Sequence, residues 1–209
     1  MTTMPTPKND HIIIVRGTVT DVSVILHLLD KAVEWLVSQD RVGQWGTTPF
    51  SEKSRNHERV TEFATSGLGV WLAIKVLDDT AMKTVDEDPE QPSTALYFST
   101  DLGVQGIVVG ALAVGDKTPY VPAVSEPEAY VKLLVTDRKY IGGGIGRRLL
   151  DHARALTREA GVSLMRVDCY GGGDGKLVKY YESQGFKRSV TMDVEGWPCQ
   201  VLEMRLEGS

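Results

Sequence analysis

Apolar positions along the chain recur with two different periods, and the alternation between them predicts a mixed α/β protein. Residues 11–16 read His-Ile-Ile-Ile-Val-Arg, a β-branched run suited to a strand covered on both faces. Thr20 and Asp21 then offer N-cap side chains to a helix ending near Ser38, in which Val22, Ile25, Leu26, Leu29, Ala32, Val33 and Leu36 fall at helical spacing. Gly43, Gly46 and Pro49 interrupt that period and leave an irregular loop carrying Gln44, Trp45 and Phe50. A second helix is expected over residues 53–65.

Residues 69–76 and 107–114, rich in Val, Ile and Leu, predict two strands paired antiparallel. The acidic, proline-containing stretch between them predicts a solvated loop over residues 78–103. Residues 120–128 read as a further surface loop before a strand over 129–136. Helical spacing returns over 145–160, where Leu149, Leu150, Ala153 and Leu156 share one stripe and Gly161 is placed to end the helix. Strands over 164–169, 186–192 and 200–205, a short helix over 176–183 and a turn over 195–198 complete the pattern. The order describes a mixed, mostly antiparallel sheet of six or seven strands with helices on both faces.

Composition narrows this picture without redirecting it. A chain of 209 residues with 42% apolar and 24% charged positions fits one globular domain, expected over residues 11–209 behind a flexible tail at 1–10. The formal net charge of -5 gives no general reason to bind nucleic acid or an anionic membrane. Cys169 and Cys199, the two cysteines, lie outside any metal-ligand spacing, so no metal is expected. With no secretory signal pattern and no apolar run of about 20 residues, a cytoplasmic protein is expected.

The segment from Val135 to Gly146 joins a strand to a helix N-terminus through Gly142, Gly143, Gly144 and Gly146. Backbone N–H groups and the positive helix end favour a phosphate there, and Arg147 and Arg148 in the first turn are better accommodated beside an anion. A plain direction-changing turn is the alternative reading. A dinucleotide fingerprint counted from Gly142 and Gly144 would need a third glycine where Arg147 stands. The run from Gly171 to Leu177 imitates a P-loop but has Tyr170 in place of its first glycine and Leu177 in place of Ser/Thr.

With these elements in order, the chain resembles the GNAT N-acetyltransferase superfamily, most specifically over residues 129–186. The family signature Gln/Arg-x-x-Gly-x-Gly/Ala after a strand corresponds to Ile141-Gly-Gly-Gly144-Ile145-Gly146, with Ile141 at the Gln/Arg position. Tyr180-Tyr-Glu-Ser-Gln-Gly-Phe186 is similar to the family's Phe-Tyr-x-x-x-Gly-Phe. The resemblance implies a GNAT fold and acetyl-CoA as co-substrate. Its pyrophosphate would be cradled by backbone from Ile141 to Gly146 with Arg147, and its oxyanion met by the strand at Leu134, Val135 and Thr136. Tyr181 takes the place of the general acid that protonates the departing thiolate, and Asp174 stands where the family often has Asn at the cofactor. Trp45 and Trp197 border the acceptor site from two sides, which suits a small-molecule amine.

The acid role agrees with the chemistry, since a leaving thiolate needs a donor and a phenol supplies one. Glu58, Glu128, Asp168 and His57 are candidates for the base, with none singled out. Cys169 reads as a small buried hydrophobe, having no neighbouring histidine to activate it. Lys132 faces either an acidic substrate group or solvent. A monomer or a homodimer fits the sequence equally. The alternative to an enzyme is a GNAT-fold module that binds acyl-CoA without turnover, a reading to which the departures at Ile141 and Asp174 lend weight.

Overall fold

The structure, a computed structural model, describes residues 11–86 and 95–207; the tail expected over 1–10 and most of the acidic run lie outside the described residues. The first strand, β1 (Ile12–Arg16), is followed by helices α1 (Val22–Ser38) and α2 (Ser54–Thr65). Strand β2 (Gly69–Val76), helix α3 (Asp79–Asp86) and strands β3 (Leu96–Ser99), β4 (Val104–Gly115) and β5 (Glu128–Thr136) come next. Helix α4 (Ile145–Glu159), strand β6 (Leu164–Tyr170), helix α5 (Lys176–Ser183) and the hairpin β7 (Lys187–Val194) and β8 (Trp197–Arg205) complete the chain.

Eight strands form one sheet in the order β1-β2-β4-β5-β6-β8-β7, with β3 added to β4. Every neighbouring pair is antiparallel except β5 and β6. Helices cover both faces because the central strands are apolar on both. From β4, Val109, Leu112 and Val114 pack on the side of α4 and α5, while Val108, Ala111 and Ala113 pack under α1 and α2. No described helix is long and apolar enough to cross a membrane.

Three expectations are corrected. The stretch 78–103 is not wholly loop: it carries α3 and β3, the latter an eighth strand on the mixed, mostly antiparallel sheet. Here Asp78 caps α3 by accepting from the Ala81 N–H at 2.8 Å, and Met82 turns inward and is buried. Val85 packs against the core as well, and acidic neighbours mask these anchors in the sequence. The start of α1 is prepared by Thr18 rather than Thr20 or Asp21. The Thr18 hydroxyl accepts from the Thr20 N–H while the Asp21 carboxylate accepts from the Thr18 N–H at 2.8 Å, a capping box around one 3-10 turn. Finally, the β7–β8 turn is only Glu195-Gly196, both at positive φ (54° and 85°), so Trp197 already belongs to β8 and pairs with Val194.

Candidate active site

The one parallel pair in the sheet is incomplete. Pairing of β5 with β6 runs from Glu128↔Leu164 to Val131↔Val167 and stops, although β5 continues to Thr136 and β6 to Tyr170. A bulge starts the separation: Val114 faces Val131 and Ala113 faces Leu133, which leaves Lys132 as the extra residue on β5. Backbone groups of β5 beyond Val131 on the side towards β6 therefore lack strand partners. A notch opens there, and a cavity of about 980 Å³ passes through it.

On one face the cavity reaches the N-terminus of α4. Gly144 caps that helix with left-handed backbone (φ 66°) and no side-chain cap, so the first-turn N–H groups are not consumed by a neighbouring side chain. Ile141, Gly142, Gly144, Ile145, Gly146 and Arg147 line the wall here, as do Leu134, Val135 and Thr136 from β5. Gly143 does not. Asp174, expected at the cofactor, is not among the wall residues; its carboxylate is held by Arg41 at 3.0 Å and Lys176 at 2.9 Å, both of which are. Ile141, 69% exposed, presents an apolar side chain at the cavity mouth.

On the other face the cavity lies under the α1–α2 loop. Trp45 packs edge-on against Phe50 with ring centroids 5.1 Å apart, and Trp197 from β8 donates its indole N–H to the Gln44 carbonyl at 2.7 Å. The two tryptophans expected on opposite sides both line this cavity, and Trp197 is tied to the loop that carries Trp45. Asp137 fixes the end of β5 to α1: 4% exposed, it accepts from the Lys31 ammonium at 2.9 Å and from the Lys139 N–H at 2.9 Å.

A strand that leads into an uncapped, glycine-rich helix start is the arrangement that the sequence resemblance implied. The family model of the acetyltransferase (GNAT) domain matches residues 96–188, which span the notch, the glycine turn and both tyrosines of α5. Over residues 96–188 the chain carries a GNAT acetyltransferase domain. The same fold recurs in a ribosomal-protein-alanine N-acetyltransferase from Brucella melitensis, 19% identical, with a TM-score of 0.58 over 93% of this chain and 99% of that one. A GNAT-family acetyltransferase from Listeria monocytogenes is 15% identical, with a TM-score of 0.58 over 96% and 98%. A Salmonella typhimurium protein with its cofactor acetyl-CoA is 15% identical, with a TM-score of 0.56 over 94% of each chain. No curated protein matches the sequence significantly.

Within this GNAT domain, α5 sends both of its tyrosines to the cavity. Tyr181 is buried, with its ring edge-on to Phe186 and to Tyr180 at centroid distances of 5.7 and 5.4 Å, and its hydroxyl makes no hydrogen bond among the described residues. Burial, reinforced by Cys169, Tyr180 and Asp168, raises the Tyr181 phenol well above its ordinary value of 10. It stays a proton donor through the physiological range. The Tyr180 hydroxyl is buried without a partner among the described residues and lies against Gly146, where a methyl group would overlap it.

The four candidate bases separate cleanly. His57 and Glu58 are exposed and away from the cavity wall, and Glu128 is engaged with Arg166. Asp168 lines the wall, and its two oxygens accept from Tyr130 at 2.8 Å and Tyr120 at 2.9 Å. Burial pushes the Tyr120 hydroxyl up to about 12 and raises Tyr130 as well, so both remain donors to the carboxylate. Sequence reading missed both tyrosines because their partner stands 48 and 38 residues away.

Cys169 also lines the cavity, but burial pushes its thiol up to about 12, which leaves about one part in ten thousand as thiolate at pH 8. An aromatic disulfide reagent at pH 8 is therefore expected to titrate no fast thiol in the native protein, and Cys169→Ala to keep its acyl-transfer rate within about threefold, since a nucleophile's loss would cost orders of magnitude. Rapid labelling that tracks loss of activity would reinstate the covalent route.

Proposed function

We propose that this GNAT domain transfers the acetyl group of acetyl-CoA to the primary amine of a small molecule, by direct attack within a ternary complex. The observation that carries the reading is the β5–β6 notch, which connects an anion-favouring helix start on one face of the sheet with an aromatic-walled chamber on the other. Acetyl-CoA supplies the activated acyl carbon: the amine nitrogen bonds to it, the carbon–sulfur bond breaks, and the thiolate leaves as the thiol once protonated.

The residues present fit that group. The Tyr180 hydroxyl, buried and unpartnered, is a donor in search of an acceptor at the α4 N-terminus. Arg138, Arg147 and Lys176 add positive charge to the same wall, alongside the helix N–H groups that would hold a pyrophosphate. The unpaired β5 edge around Leu134 to Thr136 offers backbone groups to an extended amide chain and an N–H to a developing oxyanion. Tyr181 protonates the leaving sulfur, and water is kept from it by Phe186 and Tyr180.

A panel of primary amines assayed for acetyl-CoA-dependent thiol release tests the proposal; release that rises with the amine is the expected outcome. Binding of coenzyme A with no amine-dependent release would point instead to the non-catalytic module. A second test is Gly146→Val. A side chain there displaces the Tyr180 hydroxyl and crowds the helix start, so KM for acetyl-CoA should rise at least about tenfold, the loss of one or two charge-assisted hydrogen bonds. An unchanged KM would remove the glycine turn from the cofactor site.

A further inference from the structure

The charge on the cavity wall is the reverse of the charge on the protein. The whole chain carries -5, yet the wall holds seven Lys and Arg side chains against one carboxylate, Asp168. Arg147 and Lys176 belong to the α4 and α5 side already assigned to acetyl-CoA, the Arg138 guanidinium stacks 4.0 Å from the ring centroid of Trp35 on α1, and Arg41 is paired with Asp174. Of the remaining three, Lys53 stands at the start of α2, and two are set against one ring beneath α1 and α2 and are not explained by acetyl-CoA.

Those two are Arg59 from α2 and Lys132 from the β5 bulge. The Arg59 guanidinium lies 5.5 Å and the Lys132 ammonium 5.2 Å from the centroid of the same ring, that of Phe63, a buried member of the core beneath α1 and α2. Neither cation forms an ion pair or hydrogen bond among the described residues. The bulge is the cause of the Lys132 placement. Regular alternation after Val131 would put Leu133 back on the side of Val131. The extra residue instead sends Lys132 and Leu133 both towards α1 and α2. Two like charges set against one ring and lining one cavity repel each other, and an anion bound in that cavity relieves the repulsion.

Asp168 completes the chamber at its other end. It follows Val167, the last residue of β6 paired with β5, and so stands at the lip of the notch. Tyr130 and Tyr120 hold its two oxygens in place, and each oxygen retains a lone pair for a further donor. Arg59 lies near enough to Tyr120 to act on its hydroxyl electrostatically, which puts the cationic pair and the carboxylate in one neighbourhood. The arrangement is complementary to a molecule with both an ammonium and an acid group.

We propose that the acceptor is a primary amine that also bears a carboxylate, an amino-acid-like molecule whose acid group is held by Arg59 and Lys132 and whose amine is held by Asp168 at the notch. This rests on the acetyl-transfer reading above. Before attack the ammonium gives a proton to Asp168 and becomes the neutral nucleophile, and Tyr120, 40% exposed, connects that carboxylate to solvent.

The test compares α- and ω-amino acids with their own amides, which keep the primary amine and lack the negative charge. The acids are expected to show KM at least about tenfold below the amides, the scale of one charge-assisted hydrogen bond. Lys132→Met and Arg59→Met should each raise KM for the acids about tenfold and bring acid and amide within about threefold of each other, with Lys132→Arg restoring part of the difference. Amides and acids that saturate alike, or variants that shift both equally, would overturn the inference while leaving acetyl transfer standing. Should no amine be acetylated, the transfer reading falls. Calorimetry on the protein loaded with coenzyme A then decides this inference: binding of acids over amides, lost in Lys132→Met, upholds it, and equal binding overturns it.

Discussion

Tyr181→Phe is expected to lower kcat by about a hundredfold or more, the usual contribution of a positioned general acid, while KM for acetyl-CoA stays within about threefold. The substitution removes one oxygen from a ring that is held by Phe186 and Tyr180 edge-on, and those contacts survive it. The hydroxyl has no hydrogen-bond partner to lose among the described residues, so the melting temperature should change little. Because burial holds the phenol well above 10, Tyr181 remains protonated, and the wild-type rate should show no falling limb from this group below about pH 10. Tyr180→Phe is the informative companion. It removes a buried, unpartnered oxygen, so the protein should be no less stable, while KM for acetyl-CoA rises more than kcat falls. A Tyr181→Phe enzyme with kcat within threefold of wild type would take the acid role away from this residue.

The sequence disclosed those parts of the site that are local in the chain. The glycine turn and the paired tyrosines each occupy a few consecutive residues, and a helix period or a strand run fixes their context. So the α4 start and α5 were readable, as was the approach of Trp45 and Trp197 to one site. What escaped depends on which residues meet across the sheet. The bulge at Lys132 is visible only when Ala113 and Val114 are seen to pair with Leu133 and Val131. The Tyr120–Asp168–Tyr130 cluster needs the loop before β5 and the strand β6 to be adjacent, which no period in either segment specifies. The ion pair of Asp174 escaped for the same reason. The expected role of Asp174 followed from position in a motif, whereas Arg41, from a loop 133 residues away, claims its carboxylate. Helix α3 and strand β3 were hidden by composition, since one buried Met82 and a four-residue strand cannot outweigh an acidic, proline-containing stretch.

Glu128→Ala is expected to destabilise the protein by about 3–5 kcal/mol, the penalty for leaving a buried charge without its partner. Arg166 is 1% exposed, and its guanidinium donates to Glu128 at 2.9 Å and to the Pro122 carbonyl at 3.1 Å, while its Nε has no partner among the described residues. Removing Glu128 strips the cation of the only acid it pairs with among the described residues, in a place where Arg166 is almost wholly buried. For a chain of this size that loss corresponds to a fall of about 10 °C in melting temperature. Glu128→Gln should fall between, keeping a hydrogen bond and losing the charge. The double replacement Glu128→Leu with Arg166→Met should recover most of the loss, because it removes both desolvated ions and leaves packing in their place. The position matters as much as the size. Parallel pairing of β5 with β6 comprises only the four registers from Glu128↔Leu164 to Val131↔Val167, and the ion pair ties its first register to its third. That short ladder sets where the strands part, and so where the notch opens. Hydrogen exchange in Glu128→Ala should therefore accelerate first at Ala129 to Val131 and Met165 to Val167, before the β2–β4 ladder is affected. Uniform acceleration across the sheet would show instead that the pair supports the whole fold and has no particular hold on the notch.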